Sequence, residues 1–253
     1  MNASSEPASL TPEDIKRFGP DPLAMFSRNL TSVEERIVQA CARAGRPRES
    51  VRLLPITKTV PAHVLRFAYA AGIRDFGENK IQEAVAKRAD LSDLAIDWCI
   101  VGHLQTNKVK YLTRFAREFH ALDSVRLAET LDARLDREDR SLDVYVQVNT
   151  SAEESKYGLQ PGELLPYLDE LRRFPRLKPR GLMTLAVFST DLEKVRPCFE
   201  RLRELRDIAV RHDPAIKELS MGMSNDFEEA IVQGADVVRV GEAIFGKRST
   251  PDG

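Results

Sequence analysis

Apolar and polar positions follow two rhythms along this chain. Short apolar, β-branched runs of strand length recur, and each is followed by a longer stretch whose apolar residues return every three or four positions. The short runs lie at residues 51–58, 75–79, 97–102, 118–122, 142–150, 179–186, 218–224 and 237–245, and they predict eight strands. The stretches between them predict helices over 61–71, 80–89, 107–115, 124–138, 161–174, 192–211 and 225–233. One more helix precedes the first strand. From Leu30 onward, Val33, Ile37, Ala40 and Cys41 fall on one face, Thr31 or Ser32 can cap the start, and Gly45 ends the run. Glu34 and Glu35 in its first turn suit the positive end of a helix.

Eight β/α units within 253 residues have the size and rhythm of a closed barrel. A doubly wound open sheet alternates in the same way, but eight units in this length favour closure. The expected fold is α/β, a single (β/α)8 TIM barrel with an extra N-terminal helix. Residues 1–25 are rich in Ser, Pro, Glu and Asp and are expected to form a flexible leader. Residues 26–253 are expected to form one barrel domain.

Composition narrows function by exclusion. Lys and Arg number 38 against 39 Asp and Glu, a net charge of −1, which offers no broad footprint for nucleic acid or an anionic membrane. No apolar stretch approaches the roughly 20 residues that a membrane-spanning helix needs. The first residues lack the basic and apolar regions of a secretory signal. Cys41, Cys99 and Cys198 are far apart and form no Cys-x-x-Cys pair, so neither a disulfide framework nor a zinc site is expected. His63, His120 and His212 have no ligand-like spacing with acids or cysteines, and no metal is indicated. The expected location is a reducing cytoplasm. No strongly apolar exposed helix face stands out, and a monomer is expected.

Candidate chemistry gathers at the predicted strand ends, where barrels of this kind place their active sites. Lys58, Asn79, His103, Asn149, Met183, Ser224 and Arg239 all lie at or near such ends. Strand seven runs into Gly222-Met-Ser-Asn-Asp226 and strand eight into Gly241-Glu-Ala, the positions from which barrels often build a phosphate cradle. Ser224 would add a hydroxyl donor, and Gly241 would permit close backbone approach. Each segment alone is equally well a helix cap or a packing glycine. Lys58 is either an amine nucleophile toward aldehydes or a lysine paired at a strand end. Arg239 either faces a ligand or pairs with a core carboxylate such as Glu78. Asn79 either contacts a ligand or caps the next helix, and His103 is polar lining or an acid or base. A lysine amine together with a phosphate site suggests a cofactor held by its phosphate and bound as an imine, with pyridoxal 5′-phosphate the first candidate. A Schiff-base aldolase acting on a phosphorylated sugar fits the same parts.

Taken together, these segments resemble the pyridoxal-phosphate homeostasis protein family, also described as YggS-like or proline synthase co-transcribed proteins. Such proteins look like the N-terminal barrel of alanine racemase standing alone. The matching segments are Thr57-Lys-Thr59, Phe76-Gly-Glu-Asn79 with Gln82-Glu83, Gly102-His-Leu-Gln-Thr-Asn-Lys108, Val148-Asn-Thr150 with Ser155-Lys-Tyr-Gly158, Gly181-Leu-Met183, Leu219 to Asp226 and Val238 to Gly246.

The resemblance implies that Lys58 forms the Schiff base to pyridoxal phosphate. It implies that Ser224 and the Gly241–Glu242 backbone hold the phosphate with Met223 nearby, that Arg239 faces the pyridine nitrogen, and that Asn79 lines the cofactor. Two positions depart from the family pattern. Thr57 stands where Ser is usual, and Glu242 stands where Thr or Ser is common, so the Glu242 side chain is expected to turn away and leave only its N–H to bind. The implied function is intracellular pyridoxal phosphate homeostasis: holding, buffering and handing over the cofactor to apo-enzymes, without robust catalysis. The alternative is a small pyridoxal-phosphate-dependent amino-acid racemase or lyase, with His103, Lys156 or Tyr157 as acid or base. Because the chain stops soon after strand eight, the β-domain that supplies a catalytic tyrosine in alanine racemase is expected to be absent.

Overall fold

The structure is a computed structural model that describes residues 9–151, 153 and 156–247. Eight strands form one sheet: β1 (Arg52–Pro55), β2 (Asp75–Glu78), β3 (Asp97–Ile100), β4 (Glu118–Leu122), β5 (Leu142–Gln147), β6 (Leu177–Met183), β7 (Glu218–Ser220) and β8 (Val237–Val240). They pair in parallel in the order β1-β8-β7-β6-β5-β4-β3-β2, with Arg52 opposite Val237. The remaining seam, between β1 and β2, closes just past the end of β1. Ile56 bridges Gly77, and the Thr57 N–H donates to the Gly77 carbonyl at 2.8 Å. The strands pack closely there: a Cβ on Gly77 would stand 2.5 Å from Ile56 Cδ1 and 3.2 Å from the Pro55 oxygen. The chain is thus a (β/α)8 barrel.

Around the barrel lie α3 (Ala62–Ala70), α4 (Ile81–Asp90), α5 (Val109–Leu112), α6 (Val125–Arg137), α7 (Leu164–Leu171), α8 (Leu192–His212) and α9 (Phe227–Val232). Their apolar stripes press onto strands that are buried on both faces; all of β4 is buried. The sequence expectation of alternating strands and helices is met. Apart from 118–122, which matches β4, the predicted strands overshoot at their C-terminal ends, because the apolar runs continue into loops where pairing is reduced to isolated bridges and single hydrogen bonds. The last run, expected as one strand over 237–245, is β8 followed by a single helical turn, α10 (Glu242–Phe245). Helix 107–115 is likewise shorter than expected.

The N-terminal expectation needs a larger correction. Residues 1–8 lie outside the described residues, but most of the rest of the expected flexible leader is helical: α1 (Pro12–Phe18), then α2 (Pro22–Arg43). Asp21 caps α2 by accepting the Ala24 N–H at 3.0 Å, so the helix starts well before Leu30. Thr31 caps nothing; its hydroxyl bonds back to the Ser27 carbonyl at 3.0 Å. Phe18 and Phe26 are buried, which supplies the apolar contact that a flexible leader lacks. The expected face of Val33, Ile37, Ala40 and Cys41 is buried.

Helix α2 runs across the seam between β8 and β1. Arg36 pairs with Glu228 of α9 at 2.7 Å, Arg46 with Asp236 at 2.9 Å, and Asn29 Nδ2 donates to the Ile244 carbonyl of α10 at 2.8 Å. No helix among the described residues is long and apolar enough to cross a membrane, and no group of three or more His, Cys, Asp or Glu there could hold a metal.

Candidate functional site

A cavity of about 530 Å³ opens at the C-terminal ends of the strands. The residues that the family resemblance implied for cofactor binding all line it: Lys58, Asn79, Met223, Ser224, Arg239, Gly241 and Glu242. Apolar side chains of Ile56, Val101, Leu185, Val187 and Phe245 complete the wall.

Lys58 sits on a turn that its neighbours pin. On one side Thr57 is fully buried; its hydroxyl donates to Glu78 Oε1 at 2.5 Å, and its carbonyl accepts from Lys87 Nζ at 2.7 Å. On the other side Thr59 adopts φ +63°, a strained setting for a β-branched residue. Its N–H donates to Glu83 Oε1 at 2.7 Å. Lys87, itself buried, ties the two sides together by donating to Glu78 at 2.7 Å and Glu83 at 2.6 Å. Burial pushes the Glu78 carboxyl above its usual range against the charge of Lys87. For Glu83, burial is outweighed by hydrogen bonds from Lys87 and the Thr59 N–H, and the carboxyl is held below its usual range.

Glu78 is therefore committed to α4 and the Lys58 turn. It is not the partner of Arg239, as the sequence had allowed. Arg239 is 4% exposed, and among the described residues no carboxylate lies within ion-pair distance of it. Its Nη1 donates to Ser220 Oγ and its Nη2 to the Thr184 carbonyl, both at 2.8 Å. Ser220 Oγ in turn lies 2.9 Å from His120 Nδ1, and His120 Nε2 lies 2.9 Å from Glu118 Oε2, which Arg52 also holds. Burial pushes the Arg239 guanidinium down to about 10, with the charge of Asp226 opposing, so it stays cationic at neutral pH. Burial also lowers His120, which is then neutral. A neutral His120 that donates through Nε2 to Glu118 accepts at Nδ1, so the Ser220 hydroxyl donates to it and leaves its oxygen for Arg239.

The turns after β7 and β8 meet at Ser224. Its hydroxyl oxygen accepts the N–H groups of Gly241 and Ala243, each at 3.3 Å. Gly222 allows this fold-back at φ +91°, where a Cβ would stand 2.5 Å from Ala230 Cβ. Asp226 is buried and accepts the Met223 N–H at 2.5 Å, which fixes the loop. Gly241 packs over the Ile56 carbonyl, 3.1 Å from where its Cβ would be. Glu242 begins α10 with its side chain exposed.

Other candidates fall elsewhere. Asn79 lines the cavity and does not cap α4, whose N-cap is Lys80. Neither His103, Asn149, Met183, Lys156 nor Tyr157 lines the cavity. His103 stacks on Tyr157 at 3.9 Å, and Lys156 Nζ donates to the Ala186 carbonyl at 2.8 Å. Ser155, part of one family-like segment, lies outside the described residues. Sequence reasoning missed Arg17, Phe188 and Thr190, which also line the cavity. Only Arg17 carried a local signal, the Thr11–Asp14 capping box that opens its helix.

Residues 29–249 match the family described as alanine racemase, N-terminal domain. The pyridoxal phosphate homeostasis protein of Aquifex aeolicus is 43% identical over 220 residues, covering 87% of this chain and 96% of that protein. That of Pseudomonas aeruginosa is 38% identical over 226 residues, covering 89% and 97%. Among solved structures, PipY of Synechococcus elongatus PCC7942 with PLP bound superposes with a TM-score of 0.76 at 34% identity, over 87% of this chain and all of that one. A barrel of this topology, matched over nearly its whole length by these relatives, belongs to the pyridoxal phosphate homeostasis protein family and carries the alanine racemase N-terminal domain.

Proposed function

We propose that this chain binds pyridoxal 5′-phosphate as an imine on Lys58 and holds it for delivery to apo-enzymes, without robust catalysis of its own. The observation that carries this reading is the meeting, in one cavity, of the Lys58 amine, a buried cationic Arg239 and the Ser224 turn. The residues fit such a group. The cavity volume lies within the ~300–1,000 Å³ of small-molecule sites. Bound pyridoxal phosphate supplies an aldehyde and an electron-withdrawing ring.

The chain's own residues divide the work. Lys58, on its pinned turn, presents the amine. Ser224 and the N–H groups of Gly241 and Ala243 offer donors suited to a phosphate, and the Ser224 hydroxyl exchanges its present intramolecular contacts for that role. Arg239 would face the ring nitrogen; a guanidinium does not give up its proton, so it would leave that nitrogen unprotonated and weaken carbanion stabilisation. Asn79 and Met223 line the remaining sides. That His103, Lys156 and Tyr157 do not line the cavity favours storage over racemisation or elimination.

The test is the absorbance of the purified protein with added pyridoxal phosphate, followed by borohydride reduction and peptide mass analysis, for the natural chain and Lys58→Ala. The expected result is a visible band and a reduced adduct on Lys58, both lost in the variant. Absence of any adduct on Lys58 in the natural chain overturns the covalent reading. Exchange of amino-acid α-protons at enzymatic rates overturns the non-catalytic one.

A further inference from the structure

Helix α1 lies N-terminal to the residues 29–249 that the family model matches, yet it reaches the cavity. Its Arg17 grips the turn that carries Lys58. Nη1 donates to the Thr59 carbonyl at 2.6 Å and Nη2 to Thr59 Oγ1 at 3.2 Å. Three residues earlier, Asp14 Oδ2 stands 2.7 Å from Nε2 of His63, in the first turn of α3. Asp14 is buried and locked to Thr11 through the capping box. The helix therefore holds both ends of the segment from Thr59 to His63.

It is anchored on the opposite side as well. Phe18 packs edge-on against Phe26 at 5.9 Å, and Phe26 against Phe245 of α10 at 5.3 Å. Gly246, at the end of α10, has Met25 Cε 3.2 Å from where its Cβ would be. Helix α1 and the start of α2 thus bridge the turn after β1 and the turn after β8, which lie on two sides of the cavity.

The strain at Thr59 gives this bridge a purpose. A β-branched residue at positive φ persists only where its surroundings over-determine it. Glu83 of α4 holds the Thr59 N–H. Arg17 of α1 holds the carbonyl and hydroxyl.

We propose that α1 is a clasp. Arg17 and Asp14 are positioning residues that keep the Lys58 turn in its strained form and set how fast a small ligand enters and leaves the cavity. This rests on the reading that the cavity takes pyridoxal phosphate at Lys58.

Two measurements test it. The first is hydrogen–deuterium exchange of the amides of residues 57–60 in ligand-free protein. Arg17→Ala raises their exchange by about tenfold, the scale of losing one charge-assisted hydrogen bond at a partly exposed site. Lys16→Ala, an exposed neighbour on the same helix, changes nothing. Arg17→Lys, which keeps the charge but loses the fork, falls between. The second measurement is the rate at which bound pyridoxal phosphate is lost on dilution. It rises by a similar factor in Arg17→Ala, while the amount trapped on Lys58 by borohydride at saturation stays the same. Unchanged exchange in Arg17→Ala overturns the clasp, as does faster exchange with unchanged release. If the natural chain takes up no pyridoxal phosphate, the functional reading fails by itself, and the exchange measurement still decides whether α1 holds the turn.

Discussion

Arg239 is fixed to Ser220 through a hydroxyl, Nη1 to Oγ at 2.8 Å, so a cation facing the cavity is oriented without a neutralising carboxylate. The same hydroxyl meets His120 Nδ1 at 2.9 Å. Ser220→Ala would leave both buried groups short of a partner. The expected cost is about 1–3 kcal/mol in urea unfolding, the penalty for buried polar groups left unpaired. A cost below about 0.5 kcal/mol, the scatter of ordinary surface changes, would show that water or a neighbour replaces the hydroxyl.

Lys87 anchors the Lys58 turn from a buried position. Lys87→Met strands the Glu78 carboxylate, and breaking a buried pair in this way costs roughly 3–5 kcal/mol when the remaining charge persists. Burial already pushes Glu78 upward. Without Lys87 its folded pKa rises further above the unfolded one, so the stability tied to its protonated form is complete at low pH and lost as pH rises. The variant should be more stable at pH 5 than at pH 8, read by urea midpoints. The opposite slope would contradict this account.

Acid should unfold the natural chain through the interior rather than the surface. His120 is lowered from its ordinary 6.5 by burial, against the Glu118 hydrogen bond. The unfolded chain therefore takes up the proton more readily, and stability from this group is complete above 6.5 and declines below it. Burial alone would raise Glu118, but the hydrogen bonds and charges of His120 and Arg52 hold it down to about 2. Because His120 is neutral at ordinary pH, its hydrogen bond and the Arg52 charge are the lasting contributions. Stability from Glu118 is present above its ordinary 4.5 and lost as pH falls toward 2. Glu118→Gln should flatten the acid limb of a stability–pH curve measured from pH 7 to 3; an unchanged limb would place the acid sensitivity elsewhere.

Gly222→Ala combines positive φ with a Cβ placed 2.5 Å from Ala230 Cβ and 2.9 Å from Phe227 Cα. A cost of about 2 kcal/mol or more is expected from strain and overpacking together. Because this turn leads to Ser224, pyridoxal phosphate binding should weaken alongside stability. Full stability and affinity in the variant would show that the loop rebuilds.

Phe188 is 93% exposed at the cavity edge. Phe188→Ser should leave stability within about 0.5 kcal/mol, by thermal or urea unfolding. A larger loss would mean that the ring packs in solution.

The alternation of strands and helices was legible because periodicity directly reflects which face is buried. The cavity residues were legible because barrel topology carries strand ends to one mouth. What was not legible was tertiary. Residues 1–25 read as a flexible leader, and the burial of Phe18 against Phe26 depends on α10, more than 200 positions away. The Thr11–Asp14 capping box was visible but local. Glu78 was offered as a partner for Arg239 because an inward arginine needs a core carboxylate or a ligand to face. Only the structure shows that Glu78 meets α4, outside the sheet, while Arg239 meets Ser220 and Thr184.

The contacts of α2 with Glu228, Asp236 and Ile244, and the pairing of β1 with β8, have a consequence for synthesis. On a ribosome β1 emerges early and waits for a partner most of the chain away, its edge uncovered until Val237–Val240 follow. The barrel cannot close progressively as it is made. Nascent chains that stall between β1 and β8 should therefore depend on chaperones out of proportion to the number of residues they still lack.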